Sequence, residues 1–311
     1  MVNARACGKT ILIGEHGVVY GARAIAIPLK QVNLQLSISV STSTGDSENR
    51  THSIQLGAHD SSEEIFALVR QAQKLLDIEA LNLDIKGHSS IPLGAGLGSS
   101  AALCVAMLRA LRNLSPNKDK IMKNEDLASY ANTLEAIFHG NPSGLDVSVV
   151  THEACLLFRK GEKPEPIAFS SGQGDECLNF VLIDSLMRAS TKHMVEIAKP
   201  FFMKKMTQSY AYRFDELSSC ALSALKATNS EALAPILQEA GDLLEEIGVS
   251  NETLEAMREF VREQGTLASK ITGAGGGGML LVLLHPGKKE EQLKQIKSAY
   301  GEHRVWEFCL P

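Results

Sequence analysis

The run I-P-L-G-A-G-L-G-S-S-A-A at residues 91–102 constrains this chain more than any other stretch. Gly94, Gly96 and Gly98 alternate, so the backbone can approach a ligand closely and take φ/ψ values closed to other residues. Ser99 and Ser100 add two hydroxyls. Beyond them Leu103, Met107, Ala110 and Leu114 fall on one face of a helix. A glycine loop that opens a helix offers unpaired N–H groups and the positive end of a macrodipole, a combination suited to phosphate. A glycine cluster alone serves equally well as a tight turn before a packed helix, so the loop needs partners elsewhere. Two familiar phosphate folds fit poorly or not at all. No G-x-x-x-x-G-K-[ST] string occurs. A dinucleotide fold wants an acid about 20 residues past the loop at a strand end, and the acid near that distance, Asp119, lies in the polar stretch 115–120.

At 311 residues the chain is long enough for two domains with buried cores. Its 31 basic and 36 acidic residues give a net charge of −5, which argues against a nucleic-acid partner. The six cysteines are scattered without a C-x-x-C pair, so neither a zinc knuckle nor a redox pair is expected. The N-terminus has no signal-peptide pattern, and no window approaches 18 consecutive apolar residues. A soluble cytoplasmic protein without a membrane partner is the expectation.

Read in order, residues 9–16 form a short strand that ends at a glycine followed by Glu15 and His16, a place where sites are built. Residues 18–21 read as a turn, 24–29 and 31–40 as strands, and 41–49 as a polar loop. A helix at 61–76 starts on serines, with Glu63 and Glu64 in its first turn; a strand follows at 81–86. Asn124 would cap a helix over 125–138. On a helical wheel Glu135 falls about 80° from the centre of its apolar stripe, at the border. Such a carboxylate is either a rim charge or a ligand. In the next run, G-N-P-S-G-L-D, Asn141 could cap and Pro142 open another helix, placing Asp146 near its positive end. Strands are expected at 151–158 and 179–184 with a boundary across 160–175. Helices should fill 191–264, with breaks near 226–230 and 248–251. A second glycine tract at 270–278 runs into a strand at 279–284, and a helix at 288–300 and a strand at 305–310 close the chain. The fold class is α+β, with domains at 1–170 and 171–311.

Three motifs in this order match one superfamily: K-T-I-L-I-G-E-H-G-V-V-Y-G at 9–21, P-L-G-A-G-L-G-S-S-A-A at 92–102, and K-I-T-G-A-G-G-G-G at 270–278. The chain resembles the GHMP small-molecule kinases, a group that includes galactokinases, homoserine kinases, mevalonate kinases and phosphomevalonate kinases. G-E-H-G-V-V-Y-G together with E-A-I-F-H-G-N-P-S-G-L-D looks most like the mevalonate kinase branch. Galactokinases continue G-E-H with an aspartate-containing turn, and homoserine kinases lack it. One departure is Cys7, where these families usually place proline.

The resemblance implies an N-terminal S5-like α/β domain, a C-terminal ferredoxin-like helix-covered sheet, and ATP-dependent phosphorylation of the C5 hydroxyl of mevalonate in isoprenoid precursor synthesis. It assigns Pro92, Gly94, Ala95, Gly96, Leu97, Gly98, Ser99, Ser100 and Ala101 to the nucleotide. Ser100, with Ser99 as the alternative, and Glu135 would hold Mg²⁺. Asp146 would face the reacting hydroxyl as a base or an electrostatic orienter. Lys9 would pair with Asp146 and stabilise charge on the γ-phosphate and the alkoxide. Glu15, His16, Gly273 and Ala274 would contact the substrate. Relatives are commonly dimers, so a homodimer is implied. His139, one turn after Glu135, also suits a helix C-terminus, and Arg188, Ser190, Thr191 and Lys192 could reach an anionic substrate.

Overall fold

The computed structural model describes residues 1–41, 53–56, 63–116, 123–169, 177–203 and 210–311. Most of the expected polar loop at 41–49, Ser61 at the start of the first expected helix, Asp119, and the last part of the expected boundary at 160–175 lie outside these residues. The chain forms two compact units. One comprises Met1–Lys9, Pro28–Pro92 and Gly98–Glu153, and the other Thr10–Ile27, Leu93–Leu97 and Ala154–Pro311.

The first unit takes in most of β1 (Val2–Ile13) and of β2 (Ala24–Val40), then β3 (Ser53–Gln55), α1 (Glu63–Leu75), β4 (Leu83–Ser89), α2 (Ser99–Leu111), α3 (Asn124–His139) and α4 (Leu145–His152). β2 pairs with β1, and antiparallel with β4, setting Ile38 opposite Ile85; β3 runs parallel to β4. The two strands expected at 24–29 and 31–40 are one strand. Its inward positions change phase between Leu29 and Val32, because Lys30 and Gln31 are both exposed, and this broken alternation imitates a break in the chain. β1 starts well before residue 9 and carries Cys7 fully buried in mid-strand.

α2 packs against α1, α3 and α4. It buries residues around its whole circumference, from Ala101 to Leu111 with the exception of Arg109, as expected of a helix enclosed on every side. The enclosure also re-aims α3. Its buried face runs through Leu127, Ala128, Ala131, Leu134 and Glu135, so Glu135 lies within that face and not at its border. Asn124 is the first helical residue and not the cap; Lys123 occupies that position without a side-chain hydrogen bond. Likewise Asn141 and Pro142 do not open α4. Gly144, in the left-handed region at φ 88°, precedes Leu145, whose N–H donates to Ser143 Oγ at 3.2 Å. The strand expected at 151–158 is divided: residues through His152 belong to α4, and strand begins at Leu156. Val149, Val150 and Thr151 are β-branched, yet burial in this helix cluster overrides their preference.

In the second unit β5 (Leu156–Phe158) pairs with the start of β2 and with β6 (Glu165–Pro166). β7 (Leu178–Asp184), α5 (Thr191–Phe202), α6 (Tyr210–Lys226), α7 (Ser230–Glu246), α8 (Glu252–Glu263), β8 (Ala268–Thr272), β9 (Met279–Leu283), α9 (Lys289–Tyr300) and β10 (Val305–Leu310) follow. The strands form an antiparallel sheet in the order β10-β7-β9-β8, with Val181 opposite both Glu307 and Val282. α7 and α8 lie against β8, and α9 against β10. Every residue of β8 and β9 is buried, which explains the unbroken apolar run M-L-L-V-L. Asp215 on α6 accepts from the backbone and guanidinium of Arg23 and from Arg159. Partial burial pushes this carboxyl up, but those hydrogen bonds dominate and hold it well below the usual carboxylate range.

Candidate active site

Lys9 sits within β1 and is 3% exposed, while Asp146 lies in the first turn of α4. Lys9 Nζ is 2.9 Å from Asp146 Oδ2. The contact depends on Gly98, the residue before α2. At φ 73° it occupies the left-handed region, and a Cβ there would lie 2.8 Å from Lys9 Cγ. Glycine thus lets the loop run against the lysine stem. It also leaves the first N–H groups of α2 without a side-chain cap, as a phosphate site requires.

In the first turn of α2, Ser100 Oγ donates to Glu135 Oε1 at 3.2 Å and lies 3.0 Å from His139 Nε2. Glu135 is 2% exposed. Burial, reinforced by the charge of Asp146, pushes its carboxyl up to about 8, against the opposing pull of the Ser100 hydrogen bond and Lys9. Loss of hydration lowers the His139 imidazole; the charge of Asp146 opposes this shift and Lys9 reinforces it. A buried carboxylate beside a hydroxyl, crowded by a second carboxylate, is a hard-oxygen set that a divalent cation would relieve. These residues therefore fit Mg²⁺, which keeps most of its shell as water and phosphate oxygen.

In the second unit the segment Leu93–Leu97 is backed by the later glycine tract. A Cβ on Gly96 would stand 3.3 Å from the Thr272 carbonyl, and one on Gly278 2.8 Å from that of Ala95. Thr272 Oγ1 donates to the Ile11 carbonyl at 2.9 Å and accepts from the Ile11 N–H at 3.0 Å, tying β8 to the end of β1. His16 adopts φ 55°, ψ −48°, a strained conformation for a residue with a side chain. Its Nε2 lies 2.9 Å from the Ala274 carbonyl. Burial pushes the imidazole down to about 4, only partly offset by that hydrogen bond, so it is neutral at physiological pH. Glu15 pairs with the fully buried Lys270, whose Nζ also donates to the Ile271 carbonyl at 2.7 Å. Burial lowers this ammonium, and Glu15 opposes the shift. Ser190 caps α5 by accepting from His193 N–H, and Thr191 and Lys192 follow in its first, exposed turn.

Within the first unit, then, the fold brings together Lys9, Gly98, Ser100, Glu135 and Asp146. Within the second it brings His16 to Ala274, and Ala95 and Gly96 to the tract that contains Gly273. Sequence reading gave no sign of the Glu15–Lys270 pair or of the hydrogen bond that Arg188 Nε donates to the Leu93 carbonyl at 2.8 Å. His139 was signalled only by its place one turn after Glu135.

The family description "GHMP kinases N terminal domain" matches residues 64–154, and "GHMP kinases C terminal" matches residues 221–303. The mevalonate kinase of Aeropyrum pernix is 30% identical over 304 residues, covering 94% of this chain and 91% of that protein. The crystal structure of L. major mevalonate kinase in complex with R-mevalonate superposes with a TM-score of 0.77 at 23% identity, covering 100% of this chain and 96% of that one. Streptococcus pneumoniae phosphomevalonate kinase in complex with phosphomevalonate and AMPPNP gives 0.78 at 17%, covering 100% of both chains. The fold is therefore common to kinases of different substrates, and the branch is settled by sequence. On its near full-length identity to an archaeal member, and with both domains matched, the chain belongs to the mevalonate kinases of the GHMP kinase family.

Proposed function

We propose that this chain carries out its family's reaction, transfer of the γ-phosphoryl group of ATP to the C5 hydroxyl of (R)-mevalonate, through the Lys9–Asp146 pair. The observation that carries the reading is the 2.9 Å contact between a buried ammonium and a carboxylate at the start of α4, within the unit that also sets Ser100 against Glu135. Phosphoryl transfer is mainly positioning and charge neutralisation. Asp146 Oδ accepts the C5 hydroxyl proton as that oxygen bonds to the γ-phosphorus and the bond from phosphorus to the β,γ-bridging oxygen breaks, releasing ADP. Lys9 Nζ orients that carboxylate and donates to the charge that grows on the transferred group. Ser100 Oγ and Glu135 would hold Mg²⁺, which would supply charge neutralisation when bound. The run Pro92 to Ala101 holds the triphosphate by backbone and hydroxyl groups. Glu15, His16, Gly273 and Ala274 are assigned to substrate binding, His16 as a neutral donor or acceptor.

Among the described residues no helix is long and apolar enough to cross a membrane. A cytoplasmic homodimer working in isoprenoid precursor synthesis completes the proposal, with residues 1–170 and 171–311 as its functional domains. The test is ADP release with ATP and Mg²⁺ in parallel reactions holding mevalonate, phosphomevalonate, galactose or homoserine. Turnover on mevalonate alone is expected. Turnover on a different alcohol would keep the mechanism and discard the substrate, and silence in every reaction with ATP still bound would discard both.

A further inference from the structure

Arg188 stands four residues beyond Asp184, the last residue of β7, and its guanidinium is committed at all three nitrogens inside the second unit. Nη1 and Nη2 donate to Asp184 Oδ1 and Oδ2, each at 2.7 Å. Nη1 also donates to the Met187 carbonyl at 3.0 Å, and Nε donates to the Leu93 carbonyl at 2.8 Å. Asp184 is itself fixed. It is 3% exposed, its Oδ1 accepts from the Leu186 N–H at 2.8 Å, and its carbonyl accepts from Arg304 Nε and Nη2 at 2.9 and 2.6 Å. The Arg188 stem lies along Gly94, where a Cβ would stand 3.2 Å from Arg188 Cδ.

An arginine beside a kinase's glycine loop invites the reading that it binds an anionic substrate. The hydrogen bonds argue otherwise. A bidentate fork on a carboxylate that is rigidly held leaves Nε pointing in one direction, and that direction is filled by a backbone carbonyl. Leu93 is the first residue of the segment Leu93–Leu97, whose other side rests on the later glycine tract.

We propose that Arg188 is a positioning residue for the nucleotide: with Asp184 it clamps the Leu93 carbonyl and thereby sets the backbone of residues 93–97. The inference rests on the reading that this loop holds the triphosphate. Lysine in its place keeps the charge but carries its donors on one nitrogen, without the planar fork that pairs both carboxylate oxygens while Nε reaches a carbonyl. Loss of such charge-assisted hydrogen bonds translates into a change of about tenfold.

The test compares Arg188→Lys and Asp184→Asn with the unaltered protein. It measures KM for ATP, KM for mevalonate, and ADP affinity by calorimetry, with thermal melting as the control for folding. ADP affinity is expected to fall and KM for ATP to rise about tenfold in both variants, with KM for mevalonate unchanged and the double variant no worse than either single one. A rise in KM for mevalonate with ADP affinity unchanged would overturn the clamp and make Arg188 a substrate contact. Unaltered ADP affinity in Arg188→Lys would overturn it outright. If the unaltered protein binds ADP and Arg188→Lys weakens that binding while no reaction turns over mevalonate, the clamp stands and the substrate assignment falls.

Discussion

Asp146→Asn tests whether the Asp146 carboxylate drives the transfer step. The amide matches the carboxylate in shape and keeps an oxygen for Lys9 Nζ, now 2.9 Å from Oδ2, but it has no charge and cannot take the hydroxyl proton. General base catalysis contributes about 10²–10⁴ in rate, or about 2.7–5.4 kcal/mol at 1.36 kcal/mol per decade. The stability cost is smaller. Asp146 is 29% exposed, so its charge is partly solvated, whereas Lys9 at 3% is left facing a neutral amide. The same change relieves Glu135, since the charge of Asp146 is one of the causes that pushes the Glu135 carboxyl up. The two effects oppose, and a net loss near 1 kcal/mol would shift Tm by about 2–4 °C. The assay is single-turnover phosphoryl transfer with saturating ATP and mevalonate, alongside ADP calorimetry and a melting curve. The transfer rate is expected to drop at least ~100-fold with ADP affinity and folding preserved. A rate within tenfold of normal, at normal Tm, would refute the role of Asp146 as base and as an orienting charge alike.

Gly98→Ala places a side chain at φ 73° and a Cβ 2.8 Å from the Lys9 stem. It should cost about 1–2 kcal/mol in stability and, by displacing Lys9, slow turnover about 100-fold; wild-type turnover in a folded variant would show that Lys9 tolerates the shift. His16 gives a pH signature. Its imidazole is pushed down to about 4 from an ordinary 6.5, so between these values the unfolded chain binds a proton that the folded one refuses. Its contribution is therefore intact above pH ~6.5 and is lost as pH falls toward 4, by as much as about 3 kcal/mol. Urea unfolding at pH 7 and pH 4.5 should show His16→Asn losing less stability on acidification than the unaltered protein, and equal losses would contradict the assignment.

Residues close in sequence and bound to one motif were legible from the chain alone. The glycine loop, the G-E-H-G turn and the E-A-I-F-H-G-N-P-S-G-L-D run each carry their chemistry in a fixed local spacing. Residue types alone place Asp146 early in a helix and the loop before another because helix starts and glycine requirements are local physics. Periodicity likewise located most helices and the strand that ends the chain. It failed where tertiary burial decides. Val149 to Thr151 are helical because other helices surround them, and Glu135 lies inside a face whose direction α1, α2 and α4 set jointly.

The sequence by itself determined the family, the α+β class, the order of the motifs and the residue types available for phosphoryl transfer, because each depends on neighbours a few positions apart. Only the tertiary structure set the 2.9 Å geometry of the Lys9–Asp146 pair that the resemblance implied, and it alone decided that His139 joins Glu135 on Ser100 and that Lys270 lies fully buried against Glu15. It also decided that Arg188 donates to the Leu93 carbonyl. Those pairings follow from desolvation: a charge removed from water must find a partner wherever the fold can bring one, and distance along the chain places no limit on where that is.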